Sequence, residues 1–375
     1  QPERTDPACQ PLSARPGPGM MPRPSPIATA VPMKLQILLA SLFALPLAAQ
    51  NDVVYLQDGS KLDTGKVASF DVRKLKYGDK EFPTDQVVKV ELAQFRDTFR
   101  IGLKDPGLLQ TKAKEALKDG KVLLGQLGLL QAASLYLDSN QAGEAMGALD
   151  ELQKTVPEAG VMPDVYRMKF EYYMGLGQKG VVSAVTVAKK YQSDVGGAAW
   201  APGLAAEAEF FVAMAERAAG GAPKDFQQKL RSVIGKALGG NPMVANRANV
   251  QLANSLRENK DLEGARKIYD DLAKKDKVDA SARAGALLGL GYLAMEEGSP
   301  NNKEPFRKAL LLFLRVRLET RDAWPSLHAE ALYQAIVAAD KWRGNDFQYI
   351  MSRCRSVLLG EFGESEWAAR AKAGR

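Results

Sequence analysis

Gly175, Gly177 and Gly180 have the G-x-G-x-x-G spacing with which a backbone can cradle a pyrophosphate. That chemistry needs a strand before the glycines and a helix N-terminus behind them. The preceding run, Tyr166 to Met174, has helical spacing instead, so the glycines are expected to turn one helix into the next. Asp138, Asn140 and Gly143 begin like a calcium loop, with oxygen ligands at alternating positions before a turn-forming glycine. The fifth position is Ala142 and the twelfth is Leu149, where a calcium cage needs an oxygen and a closing carboxylate. A helix-to-helix turn is expected there as well.

His328 is the only histidine in the chain. Catalytic triads and zinc sites need further ordered partners, and neither a Gly-x-Ser-x-Gly elbow nor a His-Glu-x-x-His helix occurs. A structural role at a helix start is expected. Cys354 stands between Arg353 and Arg355, whose charges would activate an exposed thiol. The apolar run from Val357 to Leu359 places it instead on a buried face. The adjacent pairs Glu296-Glu297 and Asp270-Asp271 point to different parts of a helix surface and read as solvated faces. No catalytic residue, cofactor or metal ligand is assigned.

What remains is a binding surface. With Leu252 and Ala253 in the core, helical periodicity puts Arg247, Asn254 and Arg257 on one side of the same helix, and Arg283 at the corresponding place in the next hairpin. Three guanidinium groups and an amide along one groove could hold a carboxylate, such as a peptide C-terminus. A solvated polar face is the plainer reading of the same residues.

Those residues need helices to position them, and the repeat spacing supplies them. Ala133, Tyr136, Ala145, Leu149 and Pro157 share a spacing with Leu252, Ala253, Leu256, Ala265 and Tyr269. Small residues let paired helices approach while large ones fill the gaps. Pro106 opens the helical region. Breaks at Gly120, Gly160, Gly196-Gly197, Gly220-Gly221, Gly239-Gly240 and Gly298 to Asn302 divide it into about fourteen helices, or roughly seven hairpins. Leu288, Gly289 and Tyr292 begin a third well-matched hairpin, with Ala309 and Phe313 on its second helix after a longer loop through Pro300 to Asn302. The pattern resembles the tetratricopeptide repeat. The stretch Glu361 to Ala371 is similar to the repeat boundary of bacterial envelope members of that family, among them outer-membrane assembly and cell-division factors, with Gly363 where Pro is common. The resemblance implies an α-solenoid that binds peptides or helices and has no common chemistry.

Residues 51–92 change to short β-branched runs separated by Asp58-Gly59 and Gly78-Asp79, which supply hairpin turns. Val54-x-Leu56-x-Asp58-Gly59, Gly65 before Val67, and Pro83-x-Asp85-x-Val87 resemble a small Sm-like or SH3-like barrel. Its seven Lys and Arg are offset by eight Asp and Glu, which argues against an RNA-binding face. Residues 93–105 read as a polar connector carrying Phe95 and Phe99, and residues 106–375 as the repeat domain.

At the other end, Met33-Lys34 opens an apolar run from Leu35 to Leu47 that ends in Ala48-Ala49. One Lys, a short Pro-interrupted apolar stretch and a small-residue site are the parts of a secretion signal, with cleavage expected after Ala49. Residues 1–32 hold nine of the twenty prolines and read as a disordered extension or an upstream mis-start. Residues 50–375 carry 47 Lys and Arg against 42 Asp and Glu, a mild excess, and one cysteine, so they contain no disulfide. The expectation is an exported, periplasmic or secreted, non-enzymatic scaffold that binds an envelope protein in its solenoid groove. It should bind no nucleic acid and insert stably in no membrane. A carboxylate-based secreted enzyme and a cytosolic RNA-associated protein are the alternatives.

Overall fold

The computed structural model describes residues 51–197 and 200–374. The extension 1–32 and the export segment 33–49 lie outside them. No helix among the described residues is long and apolar enough to cross a membrane.

Two three-stranded antiparallel sheets come first. One has the order β2-β1-β6 and the other β3-β4-β5, with β1 Asp52–Leu56, β2 Lys61–Gly65, β3 Val67–Phe70, β4 Lys74–Tyr77, β5 Lys80–Pro83 and β6 Val87–Glu91. Asp52 faces Gly65 across the first hairpin and Tyr77 faces Lys80 across the third. The turns use the glycines that the sequence marks, Gly59 at φ +83° and Gly78 at φ +57°, angles that side chains with a Cβ seldom adopt.

These sheets stay open, which corrects the expected barrel. The chain crosses from one sheet to the other at Lys66, so closure would require β5 to pair with β6. Instead a 3₁₀ turn, Thr84–Gln86, separates them. The backbone after β3 bonds to the helical region: Gly160 N donates to Phe70 O at 3.2 Å, Val72 N to Glu158 O at 3.1 Å, and Ala201 N to Val72 O at 3.1 Å. A sheet edge paired in this way has no open donors left to present to solvent at those positions.

The connector folds too. Phe95–Phe99 is a short helix, α1, and fully buried Phe99 joins the core. Val54, Phe70, Leu75, Phe99, Leu109, Leu129 and Leu149 belong to one hydrophobic cluster, so the sheets and the first helices share a single core.

Fourteen α-helices follow from Pro106 among the described residues: α2 Pro106–Lys118, α3 Val122–Asp138, α4 Ala142–Thr155, α5 Met162–Gly175, α6 Val181–Gly197, α7 Gly203–Ala218, α8 Pro223–Ala237, α9 Pro242–Glu258, α10 Leu262–Lys274, α11 Ala280–Glu297, α12 Glu304–Glu319, α13 Pro325–Trp342, α14 Phe347–Glu361 and α15 Glu366–Lys372. Most of them pack mainly on their sequence neighbours, the arrangement of stacked hairpins. The spacing residues do what their sizes suggest. Ala133 and Ala145 are buried where α3 meets α4, and Ala253, Ala265 and Tyr269 are buried where α9 meets α10. One contact is not local: α13 also packs on α5, so the array curls until its C-terminal part meets an early helix.

The tightest crossings depend on glycine. A Cβ at Gly289 would stand 2.2 Å from the Tyr269 ring, and one at Gly291 would stand 2.3 Å from Phe313. Gly147, on the exposed side of α4, has nothing within 4 Å of such a Cβ. Gly147→Ala should therefore raise stability by about 0.5–1 kcal/mol through helix propensity. Gly289→Ala should lower it by about 1–3 kcal/mol through overpacking. Urea unfolding of both variants checks this, and a shift of the same sign in the two would contradict the packing account.

Candidate functional site

The closure of α13 on α5 builds the site. α13 begins Pro325-Ser326, and the N–H groups of a first helical turn have no partner within their own helix. Trp324, at the N-cap, offers no side-chain cap. Glu171 of α5 supplies one from across the array: its Oε1 accepts from Ser326 N at 3.0 Å and from the Ser326 hydroxyl. A carboxylate at that end of the helix also meets the positive end of its dipole. Glu171 is buried, and that burial pushes its carboxyl up to about 7 against the opposing effect of the two Ser326 hydrogen bonds.

Trp324 reaches three further helices. Its ring meets Phe211 of α7 edge-on at 6.3 Å and lies under the Arg247 guanidinium of α9 at 4.8 Å. Its backbone N–H donates to Ser281 Oγ of α11 at 3.1 Å. Arg247 Nε in turn donates at 2.9 Å to Asp279 Oδ1, the oxygen that caps α11 through Ala282 N.

A second buried network stiffens the wall beside it. Arg167 grips Glu207 in bidentate fashion, Nε to Oε1 at 2.7 Å and Nη2 to Oε2 at 2.9 Å, and Tyr191 donates to the same Oε2 at 3.0 Å. Its Nη1 holds Asp164 at 2.6 Å. Glu207 is wholly removed from solvent. Such a charge persists in the interior because it is paired and fully hydrogen-bonded.

Two cavities flank the Glu171–Ser326 clasp, and Glu171, Gly175, Trp324 and Ser326 line both. The outer groove, about 950 Å³, runs between the α3–α4 turn, α5, and the connections α12–α13 and α14–α15. Apolar Met168, Leu176, Leu318 and Phe362 share its lining with Arg317, Arg321 and His328. Arg317 is held by Glu361. Arg321 is exposed and forms no salt bridge among the described residues. The inner cavity, about 360 Å³, is lined from α5, α7, α8, α9, α11, α13 and α15.

The four residues expected along the groove are found on or near these inner helices. Asn254 and Arg257 line the inner cavity. Asn254 accepts from Tyr269 at 2.6 Å and donates to Gln251 at 3.1 Å. Arg257 lies over the Tyr292 ring at 4.6 Å and bonds Glu296 at 3.4 Å, while its Nε is buried without a partner. Arg247 is occupied by Asp279 and Trp324 as above. Arg283 stands apart and donates to the backbone oxygens of Lys275 and Asp276 at 2.7 and 3.4 Å.

His328 is buried beside Phe362, and burial, aided by Arg317, lowers its pKa while hydrogen bonds to the backbone at Arg321 and Thr320 oppose that. Its Nδ1 has no partner. Cys354 is buried in the C-terminal core, and burial pushes its thiol up. Gly175, Gly177 and Gly180 form the α5–α6 turn, with Gly177 at φ +61° and no strand before them. Asp138 and Asn140 mark the α3–α4 turn, with Asn140 at φ +57°. No cluster of possible metal ligands occurs among the described residues. Glu171, Trp324, Ser326 and Glu330 were not anticipated.

Two solved structures of nearly identical TPR-like repeats are similar to this chain, both from a Podosopora anserina protein described as a kinesin light chain, one of them a single-substitution form. Identity is 12% in each case. The matches cover 63% and 62% of this chain and 95% and 93% of those chains, with TM-scores of 0.31 and 0.30. No family model and no curated protein matches the chain.

The position of Glu171 gives a signed pH effect. With a folded pKa of about 7 against an ordinary 4.5, the folded state binds the extra proton between those values. Stability therefore falls as pH rises from about 4.5 to about 7 and is level above that. Glu171→Gln should remove this component, so that its unfolding free energy declines less steeply than wild type across the same window. Denaturant titrations at pH 5, 6, 7 and 8 measure the difference, and parallel curves would refute the assignment.

Proposed function

We propose that this chain is an exported, non-enzymatic scaffold that holds a peptide segment of an envelope protein in its outer groove. One observation carries the reading. The hairpin array fills much of its own inner surface with paired side chains, and the large opening it leaves is the groove beside the clasp, which joins apolar side chains to an uncommitted guanidinium at Arg321. A side chain or terminal carboxylate of the partner segment meets Arg321, and its apolar residues lie against Met168, Leu176 and exposed Leu318. The tetratricopeptide-like spacing supports a binding role, and the apolar run from Leu35 to Leu47 supports export.

In this reading Arg247 serves the groove through Trp324, which it stacks on and which lines the groove, while Asn254 and Arg257 stand on the inner cavity. Arg283, half-buried and held by the backbone oxygens of Lys275 and Asp276, is the member of the four set apart from both. A carboxylate enzyme would need an acid and a base free to act on a bound substrate. Glu171 and Glu330 each already take a hydrogen bond from a neighbouring hydroxyl, Ser326 and Tyr292, which favours a structural and binding role for both.

Photo-cross-linking from position 318 in intact cells, read together with the intact mass of the captured chain, tests the proposal. The expected result is a chain beginning at Gln50, joined to an envelope protein, with the adduct lost in Arg321→Glu. With that partner purified, Arg321→Glu should weaken binding by about tenfold or more, and Arg283→Glu reports whether the neighbouring face takes part. An uncut chain joined to RNA or to cytosolic proteins, or an adduct indifferent to Arg321→Glu, would overturn it.

A further inference from the structure

Glu171 and Glu330 both line the inner cavity, and neither has a cation in salt-bridge contact among the described residues. The other charges on that wall are committed elsewhere: Arg217 to Glu258, Arg257 to Glu296, and Glu366 to Arg370. The rest of the lining joins apolar Phe170, Met174, Met214, Phe226 and Leu288 to the neutral polar side chains of Gln251, Asn254 and Ser255. Exposed Glu258 places one side of the cavity at solvent.

The geometry points to an alkylammonium site: the inner cavity takes a primary amine on a flexible carbon chain, its cationic end between Glu171 and Glu330 and its methylenes along the Met174–Met214 side. Three features select that ligand class. An anion would find its potential partners, Arg217 and Arg257, already paired. A neutral apolar guest would leave the two carboxylates with only their neutral hydrogen-bond donors, Ser326 and Tyr292, and would add no counter-charge. A cation compensates both, while an alkyl chain covers the apolar lining. A cavity of about 360 Å³ lies at the small end of the range for ligand sites and suits a single extended side chain or a short diamine. Burial raises the pKa of both carboxyls, so a cation arriving near neutral pH favours their ionised forms and expels protons.

This site is independent of the outer-groove reading, and the failure of either leaves the other standing. Isothermal titration of the full chain at pH 8 with 1,5-diaminopentane, and separately with Nα-acetyl-lysine amide, tests it. Saturable binding of at least one amine is expected. Glu330→Gln and Glu171→Gln should each weaken that binding by about tenfold or more, the value of one hydrogen bond to a charged group. Repeating the wild-type titration at pH 7 in buffers of different ionisation enthalpy should show proton release that Glu171→Gln reduces. Tighter binding of the diamine identifies a free polyamine-like ligand, and tighter binding of the lysine derivative identifies a peptide side chain. If circular dichroism shows that one variant does not fold, the other variant and the wild-type proton release decide. No saturable binding of either amine, or binding that both variants leave unchanged, would overturn the assignment.

Discussion

The first turn of α13 leaves backbone donors that its own helix cannot satisfy, and the chain meets this need with a carboxylate from eight helices earlier. Glu171 accepts the Ser326 N–H and hydroxyl, and this contact holds the curl of the helical array at the point where its two parts meet. The contact brings α13 onto α5. It also sets Trp324 among Phe211, Arg247 and Ser281, and so ties α7, α9 and α11 to the same point. The outer groove and the inner cavity are the spaces on the two sides of this clasp. Without it the hairpins would still pack pairwise, but the two cavities would lose their common wall.

Charge in this interior is held by pairing and by stacking. Arg167 satisfies Glu207 and Asp164 together, Arg247 joins Asp279 to an aromatic face, and Arg257 does the same with Glu296 and Tyr292. A guanidinium suits these positions because it is planar, weakly hydrated and able to use its edge and its face at once. Groups with only neutral partners behave differently. Glu171 and Glu330 accept from hydroxyls and a backbone N–H, which do not offset the cost of burial, so both pKa values rise. The wall of the inner cavity thus separates into charges held in ion pairs and carboxylates that a cation would stabilise.

The sheets brace one end of this array. Asp85 accepts from Gly203 N at 2.7 Å, Gln57 donates to Asn241 Oδ1 at 3.1 Å, and Lys277 Nζ donates to Asp58 O at 2.9 Å. Asn241 also caps α9 through Val244 N at 3.2 Å. The loops that start α7 and α9, and the one between α10 and α11, are therefore fixed by the strands. That arrangement explains why the sheets need not close on themselves: the loops between helices complete their edge and the helices complete their core.

The helix hairpins were legible in the sequence because their determinants are local. Glycine and proline set the breaks, and the alternation of small and large residues at Ala133, Tyr136, Ala145 and Leu149 or at Ala253, Ala265 and Tyr269 reports packing between neighbours in the chain. The strands and their turns at Gly59 and Gly78 were equally readable, for the same reason. Periodicity grouped Arg247, Asn254 and Arg257 on one helix, which is α9, but it carries no information about what faces that helix from elsewhere. Asp279 and Glu296, at the two ends of α11, and Trp324, before α13, were the missing partners, and all of them lie outside the hairpin of α9 and α10. Whether the sheets close, where the array curls back, and which carboxylates are left without a cation were decided by contacts between residues more than a hundred positions apart, such as Glu171 with Ser326 and Asp85 with Gly203. Such contacts follow from the summed rotation of many hairpins, and no spacing within a single helix encodes that sum.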